Sequence, residues 1–118
     1  LPDSAMTVYT EALRVDSTSD EACFDLAVLN EKLGNRDVAE QLYRRTIQIN
    51  PRNSYAYFGL GNTAAHRGEE ESAMRLIEEG MKGSDPPRSI LEMQIYLYKK
   101  NDRIKDAQSL TERYRSLL

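Results

Sequence analysis

The apolar residues of this chain recur at spacings of three and four positions, which is the spacing of one face of an α-helix. In residues 20–33 the positions on this face are Cys23, Phe24, Ala27, Val28 and Leu29. In the next segment they are Ala39, Leu42, Tyr43, Thr46, Ile47 and Ile49. The two segments predict amphipathic helices of about a dozen residues each, separated by a short polar stretch.

The helical pattern itself repeats with a period of 34 residues. One column of the repeat holds alanine in all four copies, and the position three residues later is always aliphatic. The two columns are Ala5, Ala39, Ala73 and Ala107, and Val8, Leu42, Leu76 and Leu110. Four recurrences at one spacing predict a stack of similar two-helix units that share a continuous core.

A third column marks the turn between the two helices of a unit. Gly34, Gly68 and Asp102 each lie five residues before the alanine, in a polar stretch. Glycine adopts the left-handed conformation that ends a helix without a steric penalty, and Asp is one of the few other residues that tolerate it. We therefore predict a turn at each of these three positions.

Residues that start and stop helices lie at the borders of the apolar segments. Candidate residues for capping helix starts are Ser19 or Asp20, Asn35, and Asn53 or Ser54. Their side-chain oxygens can accept hydrogen bonds from the free N–H groups of a first turn. Proline cannot continue a preceding helical ladder, so Pro51 and the pair Pro86 and Pro87 predict two helix ends.

Small residues predict where paired helices cross, because they allow two backbones to approach closely. The candidate crossing residues are Ala27, Ala39, Gly61 and Ala73. Cys23 takes the large-residue core position that Tyr57 and Leu91 hold in later copies, so we expect it to be buried. A redox or ligand role for this thiol is the alternative.

The composition excludes several classes of function. The chain has 118 residues, a net charge of −3 and no tryptophan, and an acidic chain lacks the basic surface that phosphate binding requires. A single cysteine cannot form a disulfide within the chain, and one cysteine and one histidine cannot form a zinc site unless other groups or a second chain join in. His66 fits a helix C-terminus, and no nucleophile pattern surrounds it. We therefore predict no catalytic residue, metal, cofactor or nucleic-acid partner.

The acidic runs 69–71 and 78–79 are typical of solvated helix faces rather than of a calcium loop. No apolar stretch is long enough to span a bilayer, which predicts no direct membrane insertion by these residues. Residues 1–4 lack the basic start of a signal peptide, and the chain does not begin with Met. We expect a piece of a longer protein, and the compartment stays undetermined.

These features together resemble the tetratricopeptide repeat family, whose unit is a pair of antiparallel helices 34 residues long. The copy at residues 20–53 matches best, with Leu26 and Ala27, Gly34, Ala39 and Tyr43, and Pro51. The resemblance implies one all-α domain over residues 1–118, an α-solenoid coiled as a right-handed superhelix with about three and a half repeats and seven helices. Residues 3–16 would be the second helix of a partial repeat, followed by repeats at 20–53, 54–87 and 88–118.

The resemblance also implies a concave groove, lined by the first helix of each unit, that binds a protein or peptide partner. The residues that alignment places there are Phe24, Asp25, Val28, Glu31, Tyr55, Phe58, Asn62, Glu92, Tyr96 and Lys99. Some family members hold a carboxylate tail with Lys, Asn and Arg residues. Here only Asn62 falls in such a position, while Phe24 and Phe58 stand where a basic residue would be needed, so this mode is disfavoured.

The groove instead offers aromatic residues at its centre, acidic residues toward one end and lysines toward the other. We therefore predict a non-catalytic scaffold that binds an apolar or aromatic segment of a partner protein. The alternative for the aromatic residues is packing between helices, because the same spacing serves both purposes.

A different class of function is self-assembly through the terminal helices. The helix at residues 3–16 would present Met6, Tyr9 and Leu13 to water, and an apolar strip of this kind is usually covered. The C-terminal end raises the same question through Leu110, Tyr114, Leu117 and Leu118. A homo-oligomer is therefore the alternative prediction. An RNA-binding repeat is disfavoured by the acidic charge.

Overall fold

The computed structural model describes residues 7, 8, 10, 11, 14 and 18–118, and residues 18–118 contain helices and turns with no strand. The helices are α1 (Asp20–Lys32), α2 (Arg36–Ile49), α3 (Ser54–His66), α4 (Glu70–Met81), α5 (Arg88–Lys100) and α6 (Ile104–Arg113), followed by a 3-10 turn at Arg115–Leu117. Six of the seven predicted helices are thus confirmed. The described residues between 7 and 14 are helical, but most of the predicted helix at 3–16, including Met6, Tyr9 and Leu13, lies outside the described residues.

Two of the predicted helix caps form and one does not. The hydroxyl of Ser19 accepts a hydrogen bond from the Ala22 amide at 3.2 Å, and the side chain of Asn53 accepts one from Ala56 at 3.2 Å. The prediction for Asn35 is wrong, since its side chain makes no capping hydrogen bond. Its amide donates instead to the buried side-chain oxygen of Asn30 at 3.3 Å, which would otherwise lack a donor.

The three predicted turns share one conformation. Gly34, Gly68 and Asp102 have positive φ values of 84°, 79° and 61°. In each turn the residue that follows donates its N–H to the carbonyl five residues back, and the first of these bonds joins Asn35 to Asn30 at 2.8 Å. The predicted column of left-handed residues is therefore confirmed, including its one non-glycine member.

The helices of each pair pack closely at small residues. Ala27, Ala39 and Ala73 are fully buried, as predicted. A Cβ atom on Gly61 would lie 2.6 Å from the Cγ1 atom of Ile77, so only glycine fits at this crossing of α3 and α4. Cys23 is also fully buried, with its Sγ atom 3.2 Å from the Leu42 carbonyl oxygen, which confirms its predicted core position.

Successive pairs stack into an elongated helical solenoid of 46 × 25 × 23 Å. Side-chain bridges join one pair to the next: Arg67 binds Asp37 at 2.5 Å and Glu40 at 2.8 Å, and Lys100 binds Glu70 at 2.6 Å. Each bridge connects the end of a first helix with the start of a second helix. The bridges therefore line one edge of the stack.

The junction of α4 and α5 is the least extensive of the junctions between consecutive helices, and it is partly polar. Gln94 is fully buried there, at the position that Leu26 and Leu60 occupy in the earlier units. Its Nε2 atom donates to the Met74 carbonyl at 3.0 Å, whereas its Oε1 atom is buried without a hydrogen-bond partner. This junction therefore contains a polar group that its surroundings satisfy only in part.

The C-terminal end differs from the sequence expectation in two residues. Leu110 and Tyr114 are buried, and the Tyr114 hydroxyl donates to Asp85 at 2.7 Å. They are therefore core residues and not part of a bare apolar strip, because they pack in one cluster with Leu91, Leu97 and Tyr98 of α5. Leu117 and Leu118 remain 47% and 44% exposed.

Candidate functional site

The candidate site is the surface on which α1, α3 and α5 lie side by side, called the inner face below. These three helices are the first helices of the three pairs, and residues 34 apart take equivalent places on them. Contacts join Phe24 of α1 to Tyr55 of α3, and a cavity of about 320 Å³ lies between α3 and α5. The inner face is therefore continuous across all three pairs.

The rings of Phe24 and Tyr55, called the aromatic patch, lie where α1 meets α3. Their centroids are 6.3 Å apart, and Phe24 also lies 5.9 Å from the ring of Tyr43 below it. Tyr55 is 52% exposed, so much of its ring is available to a ligand. Val28 is half-buried one turn after Phe24. Aromatic surface of this kind can bury large area at low entropic cost.

Phe58 is not a contact residue, which corrects one prediction for the groove. Its ring is only 2% exposed and stands edge-on to Tyr55 at 6.0 Å between centroids. It fills the space over Gly80 of α4, where a Cβ atom would lie 2.7 Å from the ring. Phe58 therefore supports Tyr55 from below and offers almost no surface of its own.

The floor beside the aromatic patch is closed by Tyr43. A Cβ atom on Gly59 would lie 2.5 Å from the Tyr43 ring, so α3 can pass over this ring only because Gly59 has no side chain. The Tyr43 hydroxyl donates to Glu31, and burial together with this carboxylate raises the pKa of the phenol. Tyr43 is therefore a neutral, fixed element of the floor.

Glu31 and Asn62 lie on the inner face but are already engaged with each other. The Nδ2 atom of Asn62 donates to Glu31 at 2.7 Å, and the other carboxylate oxygen of Glu31 accepts from Tyr43. This network links α1, α2 and α3. The structure thus brings these two predicted site residues together, but their polar groups satisfy each other.

Asp25 and Glu21 have no such partners. They lie one turn apart on the same face of α1, and neither carboxylate accepts a hydrogen bond or forms an ion pair within the part of the chain that the structure describes. Asp25 is half-buried, and desolvation followed by the charge of Glu21 raises the pKa of its carboxyl. The α1 end of the inner face therefore carries negative charge that no described residue neutralises.

The α5 end of the inner face contains the second aromatic position. Tyr96 is 60% exposed and borders the cavity between α3 and α5, which is also lined by Ala65, His66, Glu70, Met93, Leu97 and Lys100. His66 is exposed, and its Nδ1 atom lies 2.8 Å from the Asn62 carbonyl oxygen at the end of α3, where its position was predicted. The floor of this cavity is apolar, because Leu97 is buried and Met93 is half-buried.

The remaining predicted site residues lie on exposed parts of α5. Glu92 forms an ion pair with Arg88 at 3.1 Å, so its charge is partly compensated. Lys99 is exposed and has no ion-pair partner in residues 18–118. These residues are spread along α5 and do not converge on one point, so they form a surface rather than a pocket.

Sequence reasoning gave Tyr96 among the residues that line the cavity between α3 and α5, but it missed Ala65 and Leu97. Met93 is in phase with Asp25, and the 34-residue period therefore places it on the inner face. Ala65 is likewise in phase with Glu31 and Lys99. Leu97 carried no such signal, because an aliphatic residue at helical spacing is also typical of the core. The packing of α5 against α3 makes Ala65 and Leu97 part of the cavity wall.

The arrangement of side chains does not indicate a metal site. Among the described residues no group of histidine, cysteine and carboxylate side chains could hold a metal ion.

None of the described helices is both long enough and apolar enough to cross a membrane. The inner face consists of aromatic, aliphatic and charged side chains, which suit binding of a peptide.

Comparison with known proteins identifies the repeat. A sequence model described as tetratricopeptide repeat matches residues 24–88, and no curated protein matches the chain. Among solved structures, YrrB, a TPR protein with an unusual peptide-binding site, is similar with a TM-score of 0.85 at 17% identity, over 92% of this chain and 56% of its own. MamA is similar with a TM-score of 0.80 at 20% identity, over 99% and 64%. The chain thus spans less than two thirds of either solved chain.

Proposed function

Because the chain belongs to the tetratricopeptide repeat family, we propose that it is a non-catalytic scaffold that binds an apolar or aromatic segment of a partner protein on its inner face. The fold is that of protein interaction scaffolds, and the solved structure of YrrB is described as having a peptide-binding site. The inner face combines two partly exposed aromatic positions with an apolar cavity. A peptide is the ligand class that such a surface suits.

The observation that carries this proposal is the exposure of Tyr55 and Tyr96. Both rings are more than half exposed, on the first helices of adjacent pairs, while the neighbouring Phe58 is buried. Exposed aromatic side chains that are held by a rigid scaffold dominate many binding surfaces. A segment lying across α3 and α5 would contact both rings and the cavity between these helices.

The test is selection of peptides from a random twelve-residue phage library against the whole chain, followed by fluorescence anisotropy with the selected peptides. The variant Tyr55→Ala with Tyr96→Ala removes both exposed rings. We expect it to weaken binding at least tenfold, because each lost aromatic contact contributes about 1 kcal/mol or more. Since both rings are largely exposed, the melting temperature should change little.

A matched control removes two equally exposed apolar side chains elsewhere. Val38 and Ile104 are 46% and 47% exposed and begin the second helices of their pairs. The variant Val38→Ala with Ile104→Ala should bind the selected peptides as the original chain does. Unchanged binding by the tyrosine variant, with a lowered melting temperature, would show that the rings serve packing and would refute the groove.

A second candidate function is self-assembly through the end of the stack. Ile104, Leu117 and Leu118 are all more than two fifths exposed, and a depression of about 860 Å³ runs along α6 beside Ile104. A second copy of the chain that covered this end would remove these side chains from water. Light scattering over a concentration series tests it, and a strictly monomeric chain at every concentration would remove this candidate.

A further inference from the structure

The charge on the inner face indicates which peptides it selects. We propose that the bound segment carries a basic residue, arginine or lysine, that pairs with Asp25 and Glu21 while the neighbouring part of the segment covers the aromatic patch. This inference rests on the proposed function, because it concerns the ligand of the same surface. It goes beyond that function by assigning the ligand a charge and a direction along the solenoid.

Asp25 is an exception among the half-buried carboxylates of residues 18–118. Residues 18–118 contain six half-buried carboxylates, and five of them accept hydrogen bonds or ion pairs from other side chains. The five are Asp20, Glu31, Glu40, Glu70 and Glu78. Asp25 accepts none, although burial makes an unpaired charge costly. Among the described residues, one half-buried carboxylate is therefore available to a group from outside.

Glu21 adds to this charge instead of relieving it. The two carboxylates are four residues apart on one helix, where like charges destabilise each other. The nearest basic residue of α1 is Lys32, which is exposed, and it forms no ion pair within residues 18–118. A cation from a ligand would relieve both the repulsion and the desolvation of Asp25.

The aromatic patch also suits a cation. Phe24 lies between Glu21 and Asp25 in the sequence, and its ring meets the half-exposed ring of Tyr55. Cations bind favourably within about 6 Å of an aromatic face, and a guanidinium can stack on a ring while donating to a carboxylate. Aromatic faces beside unpaired carboxylates therefore favour arginine over an uncharged polar residue.

The inference also gives the ligand an orientation. Lys99 is exposed and unpaired at the α5 end of the described chain, whereas Asp25 and Glu21 lie at the α1 end. A segment that carries a basic residue at one end and apolar residues toward the other would fit only one way across the helices. Complementary charge fixes the direction and register of a bound segment in this manner.

The test compares peptide selections from the same random library on three forms of the chain. The original chain should enrich arginine or lysine at a fixed distance from an aromatic or aliphatic residue. The variant Asp25→Asn with Glu21→Gln should lose this enrichment and bind the selected basic peptides roughly fivefold more weakly. The difference should shrink as salt is raised, because the pairs involved are only partly buried.

A control variant removes two charges from another surface. Glu69 and Glu71 are exposed around the start of α4, and neither forms an ion pair in the described part of the chain. The variant Glu69→Gln with Glu71→Gln has the same net charge as the Asp25 and Glu21 variant. It should keep both the enrichment and the affinity, whereas a loss equal to that of the test variant would mean that only net charge matters and would overturn the inference.

Stability is a second readout that separates binding from unfolding. The Asp25 carboxylate is desolvated without a partner, so the Asp25→Asn chain should melt at the same or a higher temperature. Peptides selected without any preference for basic residues would overturn this inference and leave the proposed function standing. If the library yields no peptide whose binding depends on Tyr55 and Tyr96, the proposed function itself fails.

Discussion

Asp20 shows how a single side chain fixes the connection between two pairs. Its carboxylate accepts hydrogen bonds from Asn50 and Asn53, each at 3.0 Å, and so ties the start of α1 to the segment between α2 and α3. The hydrogen bond from Asn50 is the largest cause that lowers the pKa of Asp20 below its ordinary value. A carboxyl with a lowered pKa stabilises the fold only while it is ionised.

This gives a pH-dependent prediction for the Asp20→Ala variant. Because the pKa of Asp20 is lower in the folded chain, the stabilisation is fully present above the pKa of the unfolded chain, about 3.9. It is lost as the pH falls through the lower pKa of the folded chain. The variant should lose about 1.5 kcal/mol of unfolding free energy at neutral pH, and much less at about pH 2. Urea unfolding followed by circular dichroism at both pH values measures the difference.

The control for this experiment is Glu71→Ala, which removes an exposed carboxylate from the first turn of α4. Glu71 has no hydrogen-bonded partner in residues 18–118, so its replacement should have a small effect at either pH. An Asp20→Ala variant with the same loss of stability at both pH values would contradict the assigned role of the carboxylate.

At the same scale, the sequence could identify the aromatic residues but not tell which of them lie in the core and which on the surface. Phe24, Tyr55, Phe58 and Tyr96 all lie at helical spacing that serves a core or a groove equally. Phe58 is buried because Gly80, which is far away in sequence, leaves room for its ring. That contact depends on how α3 meets α4, and helical periodicity carries no information about it.

The turns between paired helices are the elements that the sequence predicts best. Gly34, Gly68 and Asp102 were recognisable because a positive φ is a local demand that few residue types meet. The failed cap at Asn35 shows the limit of such reasoning. Asn30 is buried nearby, and its side-chain oxygen accepts a hydrogen bond from the Asn35 side chain, which is then not available as a cap. This contact forms only in the packed structure.

Two substitutions in equivalent turns should change the unfolding free energy in opposite directions. Gly68→Ala should lower the unfolding free energy by about 1 kcal/mol, because a Cβ atom is strained at positive φ even where space is open. Asp102→Gly should raise it by a few tenths to about 1 kcal/mol, because it relieves the same strain in the third turn. Thermal and urea unfolding of both variants would measure the two signs.

A control for this pair is Gly68→Asn, since asparagine tolerates the left-handed region better than alanine does. It should lie between the original chain and Gly68→Ala. Equal losses for alanine and asparagine would indicate that a property other than backbone conformation governs the turn, and a destabilising Asp102→Gly exchange would contradict the assigned strain.

Across the whole molecule, stability depends on how each pair of helices couples to the next. In a stack of repeats each unit contacts only its neighbours, so one weak junction limits cooperativity. The junction of α4 and α5 is the weakest candidate here, because it is the least extensive and buries the unpaired Oε1 atom of Gln94. We expect α5 and α6 to open before the earlier helices.

The variant Gln94→Leu tests this coupling. Leucine has a similar size, fills the equivalent positions 26 and 60, and removes the unpaired oxygen. The unfolding free energy should rise by about 1 kcal/mol, and backbone amides of α5 and α6 should exchange hydrogen more slowly. Unfolding in urea and hydrogen exchange by mass spectrometry provide the two measurements.

The conservative exchange Gln94→Glu serves as the control for this variant. It keeps the length of the side chain and introduces a charge into the same buried place, so it should destabilise the junction strongly. If Gln94→Leu also lowered stability, the hydrogen bond to Met74 would outweigh the unpaired oxygen, and the junction would not be the limiting one.

At this scale the sequence predicted the six helices of residues 18–118 and their phase, because the 34-residue period can be read from the residue pattern itself. It could not predict which surfaces stay free. Glu31 and Asn62 pair with each other, whereas the Asp25 carboxylate has no side-chain partner among the described residues, and this difference arises only when α1 and α3 come together.

The tyrosines of the chain also provide an optical signal. Three buried tyrosines donate hydrogen bonds from their hydroxyl groups to carboxylates: Tyr43 to Glu31, Tyr98 to Glu78 and Tyr114 to Asp85. A carboxylate that accepts this proton quenches tyrosine emission, and the chain contains no tryptophan to mask what remains. Much of the intrinsic fluorescence should therefore come from exposed rings such as Tyr55 and Tyr96, so ligand binding on the inner face could be followed without any label.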